Sequence, residues 1–385
     1  MHTEEYLMPI TLRPPVVMQR GRGSFLWDED GRRYLDLLQG WATNALGHAP
    51  AELVDVISQQ AAQLLTPSPA LHNRPQLMLA QRLCALSGMH QAHFTTTGAE
   101  ANEAALKLAR KWGRLHRQGA YEILTTQNSF HGRSLALMAA SGKPGWERLF
   151  PPHLPGFFKV PFGDVGAMST AIGPSTVAIL VEPIQGEGGV VVPPNGYLRA
   201  LRTLADEHNL LLIFDEIQTG IGRTGKLFAC EHEGVRPDVM TLGKGLGAGM
   251  ALSAVLANER ASCFQPGDQG GTFNGNPLGT VVALRVLDIV TESGFLEHVV
   301  RMGAILRAGL EDFGGHVRGQ GLLLAWELEA AIAPTIVEQA RERGLLLNAA
   351  RPNILRFMPS LRVSDDEIAL ALALLRQTVG VAARG

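Results

Sequence analysis

The chain has 385 residues, with 34 lysines and arginines against 36 acids and a formal net charge of −2. That length fits one large domain with a smaller companion and buries a sizeable core. The charge balance offers no basic excess for nucleic acid or for an anionic membrane. The three cysteines, Cys84, Cys230 and Cys263, are far apart and odd in number, which argues against a disulfide framework and for a reducing, cytoplasmic setting.

The opening residues, MHTEEYLMPI, contain two acids and no apolar stretch, so no secretory signal is expected. The longest apolar runs, such as Leu210–Phe214, are far too short to cross a bilayer. Residues 1–45 read as irregular apart from SFLWDEDGRRYLDL, whose EDG turn separates two short alternating runs. Glu52–Leu65 has the pattern of an amphipathic helix. HFTTTG is a short strand and turn, and AEANEAALKLARKW sets Ala101, Ala104, Ala105, Leu108, Ala109 and Trp112 on one helical face. YEILTT, VAILVEP, LLLIFDE, DVMTL and SAVLAN read as strands. GYLRALRTLADEH reads as a helix with Leu198, Leu201, Ala205 and His208 near one face. Strands and helices thus alternate, and the strands are almost continuously apolar. This predicts an α/β fold with a large, mostly parallel sheet covered on both faces. From Thr291 the pattern becomes an α+β mixture ending in a helix over Asp365–Leu375. The expected division is an N-terminal segment 1–49, a large domain 50–290 and a small C-terminal domain 291–385. No repeat or low-complexity tract interrupts it.

Three stretches carry chemistry. In DVMTLGKGLGAGM (238–250) one lysine, Lys244, stands at a strand end among glycines. A lysine in a flexible glycine loop is, taken alone, best read as a solvated loop residue. A phosphate-binding P-loop requires Ser or Thr after the lysine and a glycine five before the one preceding it, and both are missing; the glycine spacing also fails the dinucleotide fingerprint. A lysine that forms a Schiff base with a carbonyl is the third reading, because bare backbone on either side permits close approach. Asp215 ends the apolar strand LLLIFD, where open α/β sheets bind ligands, and Gln218 follows three residues later. An aspartate there is also an ordinary capping or loop residue. Beside a pyridine nitrogen, however, it would keep that nitrogen protonated, as pyridoxal phosphate chemistry needs. Finally, TTTGAEANEAALKLARKW feeds a turn into a long helix. The N–H groups of Gly98 and Ala99, aided by Thr97, could hold a phosphate, although Thr97 with Glu100 also matches a simple capping box. His90 with His93 and Cys230 with His232 lack further ligands nearby, so no metal is expected.

The blocks GAEANEAALKLARKW, SFHGRS, VEPIQGEGGV, FDEIQTGIGRTGKLFA, LGKGLGAG, GGTFNGNPLG, RGQGLLLAWEL and LLLNAARPNILRFMPSL, in this order over residues 40–365, resemble class III (subgroup II) pyridoxal-phosphate aminotransferases, above all the acetylornithine aminotransferases. The resemblance implies fold type I: a large cofactor domain, a smaller α+β domain from both chain ends, and a homodimer with shared active sites. It implies pyridoxal 5′-phosphate as cofactor, with Lys244 forming the Schiff base and Asp215 pairing with the ring nitrogen. Gln218 would sit by the phenolic oxygen and Phe130 would stack on the ring. Thr97, Gly98 and Ala99 would hold the phosphate, together with Thr272 from the other subunit. Arg133 would bind a substrate carboxylate, and Glu187 with Arg356 would form a switch pair. The implied substrates are small amino acids and 2-oxo acids, foremost N2-acetyl-L-ornithine and 2-oxoglutarate. Ornithine, succinylornithine or 4-aminobutyrate transamination are the alternatives. A non-catalytic glycine-rich α/β binding protein is the rival of another class.

Overall fold

In a computed structural model, which describes residues 6–382, the chain builds three sheets. The first five residues, part of the stretch read as lacking a secretory signal, lie outside the described residues. In chain order the strands are β1 (Met18–Arg22), β2 (Phe25–Asp28), β3 (Arg33–Asp36), β4 (Gln91–Thr95), β5 (Glu122–Thr126), β6 (Phe157–Val160), β7 (Thr176–Val181), β8 (Leu211–Asp215), β9 (Val239–Leu242), β10 (Ser253–Ala257), β11 (His316–Gln320), β12 (Leu323–Glu327), β13 (Leu345–Leu346), β14 (Asn348–Arg351) and β15 (Ile354–Phe357).

The central sheet has the order β4-β10-β9-β8-β7-β5-β6. Strands β5 to β9 run parallel, and β10 is antiparallel to both neighbours. The side chains of β8 divide by the two-residue period of a strand. Leu211 and Ile213 join the core on one face, while Leu212 and Phe214 join the core on the other. Both faces are therefore buried, which explains why alternation is absent from these strands.

The helix Gly98–His116 covers one face through Ala101, Ala104, Ala105, Leu108, Ala109 and Trp112, all buried. Its small residues let helix and sheet approach closely. A Cβ on Gly113 would stand 1.9 Å from the carbonyl oxygen of Ala120, so only glycine fits there. The second sheet, β1-β2-β3-β13, contains the hairpin expected around the EDG turn, with Leu26 opposite Tyr34. The short strand β13 joins it in parallel, so both ends of the chain meet in one sheet. The third sheet, β11-β12-β15-β14, is antiparallel.

Four local expectations need correction. Strand β1 lies within the stretch read as mostly irregular. The helix begun at Ala51 stops at Ala61, not Leu65; the Gln60 side chain turns back to donate to the Leu64 carbonyl, and prolines follow. His208 caps the helix Tyr197–Glu207 and is exposed, while Leu204 takes the buried place assigned to it. The last helix continues to Ala382. Among the described residues, no helix is long and apolar enough to cross a membrane.

Candidate active site

The parallel strands bring their carboxyl ends to one edge. Phe130 follows β5, Glu182 and Glu187 follow β7, Asp215 ends β8, and Lys244 stands two residues beyond β9. They surround a cavity of about 270 Å³ whose lining includes Gly98, Ala99, Phe130, Arg133, Glu187, Asp215, Gln218 and Lys244. Of the residues singled out in the sequence, Thr97, Thr272 and Arg356 are the ones outside that lining.

Lys244 has a left-handed backbone, φ 42°, at the start of a tight turn. The neighbouring glycines serve that turn. At Gly247 a Cβ would stand 2.1 Å from the Met250 carbonyl oxygen, so the missing side chain makes room for backbone, not for a ligand. Burial holds the Lys244 amine below the usual lysine range, against the opposing pull of Glu187. A lysine so placed has its neutral, nucleophilic form within easier reach.

Asp215 is buried and held at both carboxylate oxygens. Its Oδ2 accepts from Asn102 Nδ2 at 2.7 Å and lies 2.8 Å from His131 Nδ1, and its Oδ1 accepts from the Ile217 N–H at 3.1 Å. Asn102 is oriented in turn by Thr241, whose hydroxyl donates to Asn102 Oδ1 at 2.8 Å. Asn102, His131 and Thr241 were missed in the sequence. Asn102 left a legible signal: it is a polar residue on the alanine face of its helix. His131 lies within the SFHGRS block without a role assigned to it, and Thr241 left no signal.

Glu182 was missed too. One of its oxygens accepts the Phe130 N–H at 2.9 Å and the other the Gly186 N–H at 3.1 Å, tying two loops to the end of β7. Burial pushes its carboxyl up to about 7. Phe130 meets Trp146 edge-on, with ring centres 5.7 Å apart.

Arg356 is wholly buried. Its Nη2 donates to Glu187 Oε1 at 2.6 Å, Nε to Asn348 Oδ1 at 3.0 Å and Nη1 to Gln218 Oε1 at 3.3 Å, and the Trp41 ring lies 5.5 Å from its Cζ. Burial raises the Glu187 pKa, but the Arg356 charge and hydrogen bond outweigh it and hold the carboxyl below the ordinary value. Gln218 packs so tightly under the 184–190 loop that a Cβ on Gly186 would meet its Oε1 at 1.7 Å.

Thr97 closes a complete capping box with Glu100: its hydroxyl accepts the Glu100 N–H, and Glu100 accepts the Thr97 N–H. The N–H groups of Gly98 and Ala99, at the start of the helix, have no intrahelical partner, and both residues line the cavity. Thr272 lines a neighbouring cavity with Thr95, Thr96 and Ala99.

A half-buried lysine and a buried aspartate at the carboxyl edge of a mostly parallel sheet, with a smaller sheet drawn from both chain ends, define an enzyme of the fold type I transferase class. The aminotransferase class-III family model matches residues 9–379, and the chain belongs to that family. It is 49% identical to acetylornithine aminotransferase 2 of Bordetella bronchiseptica, over 98% of this chain and 96% of that protein. It is also 49% identical to the acetylornithine aminotransferase of Ralstonia nicotianae, over 96% of each chain. Among solved structures, N-acetylornithine aminotransferase from Stenotrophomonas maltophilia matches with a TM-score of 0.86 and 34% identity, covering 99% of this chain and 98% of that one. The ornithine aminotransferase of Toxoplasma gondii matches with a TM-score of 0.95 and 34% identity, covering 99% and 94%.

Proposed function

We propose that this aminotransferase moves the terminal amine of N2-acetyl-L-ornithine to 2-oxoglutarate, giving N-acetylglutamate 5-semialdehyde and L-glutamate, with pyridoxal 5′-phosphate as cofactor. The observation that carries the two-substrate reading is the 2.6 Å Glu187–Arg356 pair in a site that also holds Arg133, an arginine with no acid partner among the described residues. The acetylated donor is supported by the relatives that bear that name at 49% identity.

The residues suit the cofactor. His131 Nε2 and Gln218 Nε2 are buried polar atoms with no hydrogen-bond partner, and both residues line the cavity. The free N–H groups of Gly98 and Ala99 open a helix over Gly98–His116, the end of a helix that favours a phosphate. Asp215 suits the ring nitrogen, Gln218 the phenolic oxygen and Phe130 the ring face. When bound, pyridoxal phosphate supplies an electron sink for the reacting carbon. Lys244 moves the proton: its amine takes one from the donor's amine-bearing terminal carbon and, in the second half of the cycle, delivers one to the α-carbon of the new glutamate. Asn102 and His131 keep Asp215 from turning away. While Glu187 neutralises Arg356, Arg133 receives the donor's α-carboxylate. When 2-oxoglutarate binds, Glu187 turns aside and Arg356 receives the α-carboxylate in its planar fork.

The proposed assembly is a cytoplasmic homodimer in which Thr272 completes the partner's phosphate site. Three free cysteines suit a reducing compartment. Amino-donor profiling against 2-oxoglutarate tests the activity. Acetylornithine is expected to exceed ornithine and 4-aminobutyrate at least about tenfold in kcat/KM, which is about 1.4 kcal/mol in transition-state binding. A preference for free ornithine would overturn the acetylated donor.

A further inference from the structure

Arg223 is a buried arginine that makes no ion pair among the described residues. It lies in the block FDEIQTGIGRTGKLFA, on the loop that follows β8. Burial draws it down to about 9, with no acid to oppose that. Its Nη1 donates to two carbonyl oxygens, Leu322 at 3.1 Å and Pro359 at 2.6 Å, and its own carbonyl accepts the Leu322 N–H at 3.0 Å. Its Nη2 is buried without a partner. A charge taken out of water without an acid is costly, and two carbonyls offset only part of the cost. What this buried charge holds is the end of a strand pair. Leu322 immediately precedes β12, Pro359 stands two residues beyond β15, and the two strands pair with Ala325 opposite Arg356. The backbones meet closely there: a Cβ on Gly321 would stand 2.5 Å from the Thr224 carbonyl carbon. The same loop carries Gln218, whose Oε1 accepts from Arg356 Nη1 at 3.3 Å.

We propose that Arg223 is a positioning residue: by clamping the ends of β12 and β15 to the loop after β8, it holds Arg356 where that arginine receives an α-carboxylate. The inference rests on the reading above, in which Glu187 turns aside and Arg356 takes the α-carboxylate of 2-oxoglutarate. While Glu187 is in place, its 2.6 Å contact fixes Arg356 Nη2. Once Glu187 has turned aside, Asn348 and Gln218 are the side chains that still hold the guanidinium. Asn348 lies on β14 directly opposite Arg356, so it moves with the same sheet. Gln218 and the Arg223 clamp then tie the arginine to the loop beyond β8. Bidentate pairing of arginine with a carboxylate tolerates little displacement. The clamp therefore matters in the half-reaction of the acid, and little in that of the amino donor.

Single-turnover kinetics of the two half-reactions, followed by cofactor absorbance, test this. The acid half uses 2-oxoglutarate; the donor half uses acetylornithine, or ornithine should acetylornithine not react. Arg223→Met removes the charge and the donors but keeps the bulk. It is expected to weaken the apparent affinity for 2-oxoglutarate about tenfold and to leave the donor half within about twofold. Arg223→Lys, whose ammonium can still donate to both carbonyls, is expected to restore the acid half to within about threefold of the wild type. If the methionine variant does not fold, Arg223→Gln carries the test: with an amide donor left, its loss is expected to be about threefold and again confined to the acid half. Equal losses in both halves, or no loss in either, overturn the positioning role. Arg356→Lys separates this from the reading beneath it. If Arg356→Lys spares the acid half, that reading falls and the positioning role with it. If Arg356→Lys cripples the acid half while Arg223→Met does not, the positioning role falls alone.

Discussion

Lys244 and Glu182 are ionisable groups whose surroundings shift their charge. Burial disfavours the ammonium of Lys244 and the carboxylate of Glu182. For Glu182 this has a consequence for stability. Its folded pKa, about 7, stands above the unfolded value near 4.5, so the folded state binds the proton more tightly. The contribution is full below the unfolded value and is lost as pH rises toward the folded one. At about 1.4 kcal/mol per pH unit, the loss approaches about 3 kcal/mol across that interval. Glu182→Gln cannot titrate. Unfolding midpoints of the apoenzyme from pH 5 to 7.5 are expected to fall more steeply for the wild type than for the variant. Parallel curves would show that Glu182 does not take up a proton in this range.

Loops set the geometry at the scale of elements. The 184–190 loop is held at one end by Glu182, which accepts the Gly186 N–H, and it carries Glu187 to Arg356. Gly186 lies directly over Gln218, and what a methyl group would strike there is the tip of a flexible side chain. Gly186→Ala is therefore expected to fold with less than about 1.5 kcal/mol lost, because Gln218 can swing aside. Swinging aside breaks its contact with Arg356 and removes its amide from the cavity. Cofactor affinity, measured by equilibrium dialysis, is expected to drop about tenfold, the value of about one hydrogen bond. A variant that retains full cofactor affinity would place Gln218 outside the cofactor's contacts. At Gly113 the obstacle is backbone instead, and no side-chain movement can relieve it.

For the whole molecule, the described surface carries large apolar side chains that one protomer leaves in water. Leu64, Leu65, Leu71, Leu77 and Met78 are exposed on and before the helix Arg74–Ser87, and Phe273 is exposed beside Thr272. Exposed apolar residues of this kind suit the interface of the proposed dimer. In the proposed dimer the segment around Thr272 reaches the partner's phosphate site, so cofactor retention depends on association. Dilution followed by sedimentation and cofactor absorbance is expected to show cofactor release in step with dissociation. A monomer that holds its cofactor and turns over at the full rate would overturn the shared site.

Much of this site was legible along the chain because its signals are local. Lys244 and Asp215 stand at the ends of apolar strands, and the strand period alone points such residues to the sheet edge where ligands bind. The alanine face of the helix after Thr97 announced its packing in the same way, and both faces of β8 proved buried as its unbroken apolar run implied. The tertiary structure alone decided the contacts between residues distant in sequence. Asn102 and His131 meet Asp215 across 113 and 84 residues, and Arg356 meets Glu187 across 169. Glu182 is fifty-two residues from the N–H group it accepts at Phe130, and no periodicity in the strand before it reveals that partner. The place assigned to His208 failed for a related reason. Helical spacing allowed either Leu204 or His208 to face the core, and the core accepted the side chain without a hydrogen-bonding ring. Strand ends and helix faces follow from backbone geometry that each segment carries with it. Which polar groups satisfy one another follows from how the segments pack, and that is a property of the whole chain.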